Sequence, residues 1–376
     1  MLTQNIEKMK KRVLISGAGF AGLTLAFWLD KFCFDVTVVE YANGLRRGGS
    51  PIDVRGEALH IVQEMGLLDK IKAKEFIHSD EMVDANGETL VRFALNAQPE
   101  YLGDIEIHRG DLLDILYEAI PRERVKILFG TSIASMSEES DGVAVVFEDG
   151  SSQHFDYVFG ADGTHSMVRR LIFGDEKQFS KFFGAYFAFA EVNQVDSGRP
   201  KNTGVFYRTL GKQVLLYQFM NGANGVLMFR SPKLDWDFRD KAQHKQILHD
   251  VFGEVTDWKT QEILEAMLLS DNLYFDEVCQ IHVPEWHKGR VALVGDAAHA
   301  PSFFTGMGTS LAMIGAARLA KSLIEYGDHH TAFARYQDIH KPFAEEIQSR
   351  IVQGQRYQLP ETEEELQASI DRFRKG

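Results

Sequence analysis

The sequence has 376 residues, 44% of them apolar and 25% charged, an ordinary globular composition with chain enough for two or three domains and a core that needs no staples. Its 54 acidic against 41 basic residues give a net charge of −13, which argues against a nucleic-acid binder, because displacing counterions from phosphate needs a basic surface. Two cysteines, Cys33 and Cys279, cannot form a disulfide framework, and no signal-peptide pattern or membrane-length apolar run is present, so a cytoplasmic address without a transmembrane segment is expected.

The first recognisable pattern is an apolar run over 12–16 that enters Gly17-Ala18-Gly19-Phe20-Ala21-Gly22. A helical stretch and a second apolar run over 36–39 follow, ending at Glu40. Strand, glycine turn, helix, strand and acid together form the dinucleotide fingerprint in its required context. Gly17 permits the tight turn, Gly19 lets the backbone approach a pyrophosphate, and Gly22 lets helix and strand pack closely. The helix N-terminus offers free N–H groups to phosphate, and Glu40 is placed to accept from a ribose. At this point FAD and NAD remain equally open.

Next comes a long Gly/Arg loop over 41–56, then an amphipathic helix over 57–74 broken at Gly66. A hairpin is expected over 82–93 around Asn86-Gly87, a helix over 109–120, and strands over 126–135, 143–148 and 155–160. The texture then becomes an antiparallel β series over 182–192, 203–210, 213–221 and 225–230. Helices over 240–252 and 259–269 and a strand over 274–283 follow. From 289 the α/β texture returns, with a helix over 308–325 and a last long helix over 330–357. The expected organisation is therefore an α/β domain (1–174 and 283–327) interrupted by a β-rich insertion (175–282) and followed by a C-terminal helix and tail (328–376).

Two further motifs carry chemistry. The strand ending in Gly160-Ala161-Asp162-Gly163 places an acid where open α/β sheets bind ligands, and Ser166, Arg169 and Arg170 follow at a helix start. The strand before Gly295-Asp296 does the same, and Pro301, Gly306 and Gly308 then open a helix. A flavin needs such a carboxylate for its ribityl hydroxyls and a helix N-terminus near the pyrimidine end of its ring. No spaced His/Cys cluster suits a metal.

Together the three motifs resemble the class A FAD-dependent aromatic monooxygenases of the para-hydroxybenzoate hydroxylase fold. The match runs through the GxGxxG turn with Glu40, the stretch from Gly160 to Arg169, and Gly295-Asp296-Ala297-Ala298-His299-Ala300-Pro301. The WxWxIP signature of related halogenases is absent. The loop 45–56, the stretch 64–71 and the segment 286–323 look like a narrower group, the tetracycline-inactivating monooxygenases, whereas the β insertion matches that group poorly.

The resemblance implies a Rossmann-type, glutathione reductase-like FAD domain interrupted by a mixed β-sheet substrate domain, with a long C-terminal helix. It implies FAD held by Gly17, Gly19, Gly22, Glu40, Arg109, Asp162, Asp296, Pro301, Gly306 and Gly308, with Arg47 and Arg55 beside the flavin. NAD(P)H would be a transient co-substrate handled by Asp162 and Arg169, because the chain has one full fingerprint. Reduced flavin and O₂ would give a C4a-hydroperoxide, so no protein nucleophile is required. The alternating aromatics of the insertion suggest a roof over a planar phenolic, enolic or polyketide substrate, with Phe187, Tyr217, Phe219 and Met228 as apolar cover and Arg230 for an anionic oxygen. Tetracyclines, and hence antibiotic resistance, are the leading case. A flavin-dependent reductase or dehydrogenase, or a non-catalytic FAD redox sensor, are the alternatives, and a monomer or weak dimer is expected.

Overall fold

The computed structural model describes residues 10–48, 51–75, 79–93 and 103–374. Gly49 and Ser50 of the arginine-rich loop lie outside them. Two large sheets face each other across a cleft. The first has six strands in the order His287–Lys288, Val291–Leu293, Tyr157–Gly160, Arg12–Ser16, Asp35–Glu40 and Lys126–Phe129. All its pairings are parallel except the first. Its central strands are apolar throughout because both faces are covered: Val13, Leu14 and Ile15 are fully buried, and helices Phe20–Lys31 and Gly308–Tyr326 pack together over it. The strand expected over 126–135 divides at Gly130, whose φ is +63°. Its second part, Ile133–Glu138, joins a separate three-stranded antiparallel sheet.

The second sheet has seven strands in the order Tyr274–Ile281, Ser180–Glu191, Gly222–Arg230, Lys212–Phe219, Thr203–Thr209, Ser79–Val83 and Thr89–Phe93. Here the structure departs from the sequence expectation in one way. The hairpin of the first α/β segment is built into this sheet, so the substrate sheet is not confined to 175–282. The strands of 180–230 pair antiparallel as expected, and the sheet is mixed, as the resemblance implied, because Ser79–Val83 runs parallel to Thr203–Thr209. The physical reason lies in the side chains of the hairpin: Met82, Val91 and Phe93 are buried against Phe206 and Leu215, a face they could not cover alone.

Helices Lys241–Phe252 and Thr260–Leu269 pack on one face of the seven-stranded sheet. Its other face looks into the cleft and is partly covered by the C-terminal segment through Ile351, Leu359 and Ile370. The long C-terminal helix spans His329–Ser349 and continues after Arg350 as Ile351–Gln358. A further helix, Glu363–Arg374, occupies what the sequence suggested as a charged tail. No helix among the described residues is long and apolar enough to cross a membrane.

Candidate functional site

The strand Arg12–Ser16 runs into Gly17, whose φ of +106° only glycine adopts without strain and whose N–H donates to the Val39 carbonyl at 2.7 Å. A Cβ on Gly22 would lie 1.9 Å from the Gly17 carbonyl oxygen, so the turn and helix can meet only without one. A Cβ on Gly19 would meet nothing within 4 Å, because Gly19 faces the cleft. Glu40 is buried at the end of its strand, and its two carboxylate oxygens accept from the N–H groups of Ala18 and Ala42 at 2.9 and 3.0 Å.

From this turn a continuous cleft of about 2760 Å³ runs past Arg109, Asp296 and Pro301 to the seven-stranded sheet. Asp296 opens the short helix Asp296–His299. Among the described residues no group donates a hydrogen bond to its carboxylate. Burial pushes its pKa up to about 6, with Asp276 adding and Arg109 opposing. Arg109 starts the helix Arg109–Glu118, donates to the carbonyls of Arg46 and Gly48, and lies over the Phe20 ring at 5.3 Å. Burial lowers its pKa to about 10.

Pro301 lines the cleft, and its carbonyl accepts from Gln280 Nε2 at 3.0 Å. Gly306 (φ +63°) and Gly308 bring the chain to the helix Gly308–Tyr326, whose N-terminus has no side-chain cap. Arg55 reaches this region and pairs with Asp53 at 2.6 Å and Asp104 at 3.3 Å. Arg47 behaves differently: it is largely exposed and pairs with Asp114 at 2.8 Å. An open glycine cradle, an unpartnered carboxylate and an uncapped helix N-terminus along one cleft suit a dinucleotide whose polyol donates to Asp296 and whose carbonyls accept from the helix.

The structure changes the expectation for Asp162 and Arg169. Asp162 accepts from Ser166 Oγ (2.5 Å), the N–H groups of Met167 and Val168 (3.0 and 3.1 Å) and Ser16 Oγ (3.2 Å). Arg169 is 0% exposed and donates to the carbonyls of Ala297 (3.0 Å) and Thr164 (2.5 Å) and to Glu176 (2.9 Å). A guanidinium so enclosed ties the second motif to the third and cannot reach a nucleotide docking from solvent.

On the seven-stranded sheet, Phe187, Tyr217 and Met228 line the cleft as expected from strand alternation. Two other candidates do not. Phe219 is buried against His108, with ring centroids 4.2 Å apart. Arg230 donates to the Leu359 carbonyl at 2.7 Å and pairs with Glu361 at 2.5 Å, so it anchors the C-terminal segment. Both sit at strand ends, where neighbouring elements take over side chains that alternation would point into the cleft.

Sequence reasoning missed Asp276, Gln213 and Arg208, which register brings together with the expected Phe187 and Met228. Asp276, Phe187, Met228, Gln213 and Arg208 are successive cross-strand partners, form one row across five strands and all line the cleft. At the acidic end, Asp276 accepts from Tyr274 Oη at 2.6 Å and lies 3.4 Å from His165 Nε2. Burial opposes the charge on His165, but Asp276 and Glu176 outweigh it and raise the pKa to about 10. Alternation in 203–209 could have flagged Arg208, which shares a face with Phe206.

A family model described as an FAD binding domain matches residues 10–350. A flavin-dependent monooxygenase of Legionella longbeachae is 36% identical over 348 residues, which cover 89% of this chain and 86% of that protein. The crystal structure of tetracycline destructase Tet(51) is similar with a TM-score of 0.87 and 32% identity, covering 98% of this chain and 96% of that one. That of tetracycline destructase Tet(55) gives 0.84 and 31%, with 97% and 95% covered.

Proposed function

The chain belongs to the FAD-binding-domain family, and from that premise we propose that it is an FAD-dependent monooxygenase that uses NAD(P)H and O₂ to hydroxylate a planar phenolic, enolic or polyketide ring. Tetracyclines are the first compounds to test, because two similar solved structures are tetracycline destructases. The observation that carries this reading is the continuity of the cleft, which joins the glycine cradle and unpartnered Asp296 to the aromatic face of the seven-stranded sheet.

In this reading Gly19 and the following helix N-terminus hold the pyrophosphate, Glu40 the ribose, and Asp296 the ribityl hydroxyls. Arg109 supplies positive charge along the same stretch, and the N–H groups after Gly306 face the pyrimidine end of the ring. When bound, FAD supplies an electrophilic oxygen from O₂ at the expense of NAD(P)H. The balance is NAD(P)H, a proton, O₂ and a ring C–H giving NAD(P)⁺, water and a ring C–OH. The protein's share is to position the ring, exclude water and keep the substrate's activating oxygen ionised. With Arg169 enclosed, a nicotinamide nucleotide would be held at the cleft mouth, where Arg170, Lys177, Lys233 and Arg239 are exposed.

The test uses the purified protein, with flavin identified after denaturation. NAD(P)H oxidation and O₂ uptake are then followed with tetracyclines and with simple phenols. Coupled consumption and a product heavier by one oxygen are expected. Flavin reduction without oxygenation of any phenol or enol would replace the monooxygenase by a reductase.

A further inference from the structure

We propose that Glu139, Asp141 and His154 form a divalent-cation site of the zinc class on the three-stranded sheet, outside the cleft and independent of the monooxygenase reading.

The three residues come from one hairpin and the strand beside it. Strands Ile133–Glu138 and Val143–Phe147 are joined by a turn that the Glu139 N–H closes by donating to the Gly142 carbonyl at 2.8 Å. Glu139 and Asp141 stand in that turn. His154 lies in the third strand, Ser152–Phe155, opposite Ala144. The next pair along, Phe155 and Val143, is buried in the core, so alternation turns the imidazole to the outer face. There it fills the space over Gly142: a Cβ on Gly142 would lie 2.3 Å from His154 Cε1 and 2.7 Å from Nε2. The missing side chain lets the ring lie against the turn, with Nε2 toward both carboxylates.

His154 Nε2 is 3.4 Å from Asp141 Oδ1 and 3.6 Å from Glu139 Oε2. The atom is shut off from solvent and makes no hydrogen bond, although the side chain as a whole is 40% exposed. A hydrogen bond from imidazole to carboxylate would close to about 2.7–3.2 Å. Ligand atoms around a tetrahedral zinc ion stand about 3.4 Å apart, close to both separations. Each residue offers one donor atom, the three atoms lie within 4.8 Å of one another, and none of these residues lines the cleft.

The donor set selects the metal. One imidazole and two carboxylates suit Zn²⁺, whereas Mg²⁺ and Ca²⁺ are held by oxygen ligands. Two carboxylates around a neutral ring also carry the charge that a divalent cation cancels. The neighbouring charges are engaged elsewhere: Glu138 accepts from the Arg290 N–H at 3.0 Å, and the Arg290 guanidinium donates to the Ser140 carbonyl at 3.2 Å. Bound there, the ion would tie the turn to the third strand. The sequence shows no spaced His/Cys pattern because two of the ligands are carboxylates and the sheet, not a motif, brings His154 to them.

The experiment titrates ZnCl₂ and, separately, MgCl₂ into the full chain, stripped of metal with EDTA and carrying Cys33→Ser to remove the exposed thiol. Binding is read by calorimetry, and melting temperature is measured on the same samples. One Zn²⁺ per chain is expected, bound at least about a hundredfold more tightly than Mg²⁺, with an upward shift in melting temperature. His154→Ala and Asp141→Asn are each expected to weaken Zn²⁺ at least about tenfold and to abolish the shift. His329→Ala, which removes one of two adjacent histidines on another element, is expected to leave both unchanged.

No Zn²⁺ binding would leave His154 in a plain ion pair with the two carboxylates and overturn the proposal. So would Zn²⁺ binding that survives His154→Ala and Asp141→Asn, binding that His329→Ala removes, or Mg²⁺ bound as tightly as Zn²⁺. Should His154→Ala fail to fold, Asp141→Asn in the exposed turn gives the same reading.

Discussion

The two sides of the cleft hold their polar groups in different ways. On the six-stranded side the motif residues are tied to one another: Asp162 to Ser16, Ser166 and the following N–H groups, and Arg169 to Thr164, Glu176 and Ala297. On the seven-stranded side the C-terminal segment takes up Arg230 through Leu359 and Glu361, and Arg208 Nη1 has no acceptor among the described residues. Asp296 is the exception on the first side, and it faces the cleft where a cofactor would supply donors. Motifs that bond to one another keep their joint geometry wherever all of them recur. A site assembled from distant segments can change its specificity without disturbing the other half.

The comparison can be tested hardest at the glycine turn. Gly22→Ala puts a Cβ 1.9 Å from backbone that cannot move, so soluble folded protein is expected to be lost. Gly19→Val meets nothing in the protein, so the fold is expected to survive with near-wild-type melting while flavin is lost. Soluble yield, melting temperature and flavin absorbance read both variants. Similar behaviour of the two would remove the distinction between the packing glycine and the cradle glycine.

Arg169→Ala comes next in size. It leaves Glu176 and the Thr164 and Ala297 carbonyls without their shared cation, and a loss of roughly 3 kcal/mol in denaturant unfolding is expected. Unchanged stability with slowed flavin reduction by NAD(P)H would return Arg169 to nucleotide handling.

A third test uses pH. His299 packs against Trp286 and His340, and burial lowers its pKa from 6.5 to about 3. The unfolded chain therefore binds a proton near pH 6.5 that the native state refuses until about pH 3. Stability is complete above 6.5 and falls as pH drops through that window, by about 1.4 kcal/mol per pH unit for this residue. Asp296, raised to about 6, acts in the opposite direction, and in the ligand-free protein its contribution falls as pH rises toward 6. His299→Phe keeps a ring in place and is expected to flatten the acid limb. A limb as steep as wild type would show that other groups dominate it.

The smallest effects are expected on the outside. Arg230→Met loses a backbone acceptor and an ion pair to a largely exposed Glu361 and is expected to cost about 1 kcal/mol, with increased proteolysis after residue 350. Arg47→Ala removes an exposed pair with Asp114 and is expected to change stability by less than about 0.5 kcal/mol. A larger loss of flavin than of stability in Arg47→Ala would place that side chain at the cofactor.

The glycine turn, the strand ends carrying Asp162 and Asp296, and the helix after Gly308 are legible in the sequence because they are local. Each depends on a backbone conformation or a short strand-to-helix step that neighbouring residues dictate. The alternation of 182–192 and 203–230 likewise identifies Phe187, Tyr217 and Met228 as facing one side. What remained to the tertiary structure was the meeting of distant segments. Strand register decided that Arg208 and Gln213 stand beside Met228. The C-terminal segment removed Arg230 from the cleft by accepting its hydrogen bonds. Burial converted Arg169 from a surface candidate into an internal tie. Residue type and spacing specify what a side chain can bond to, but which acceptor comes within 3 Å is settled by packing of elements that the linear sequence does not place side by side.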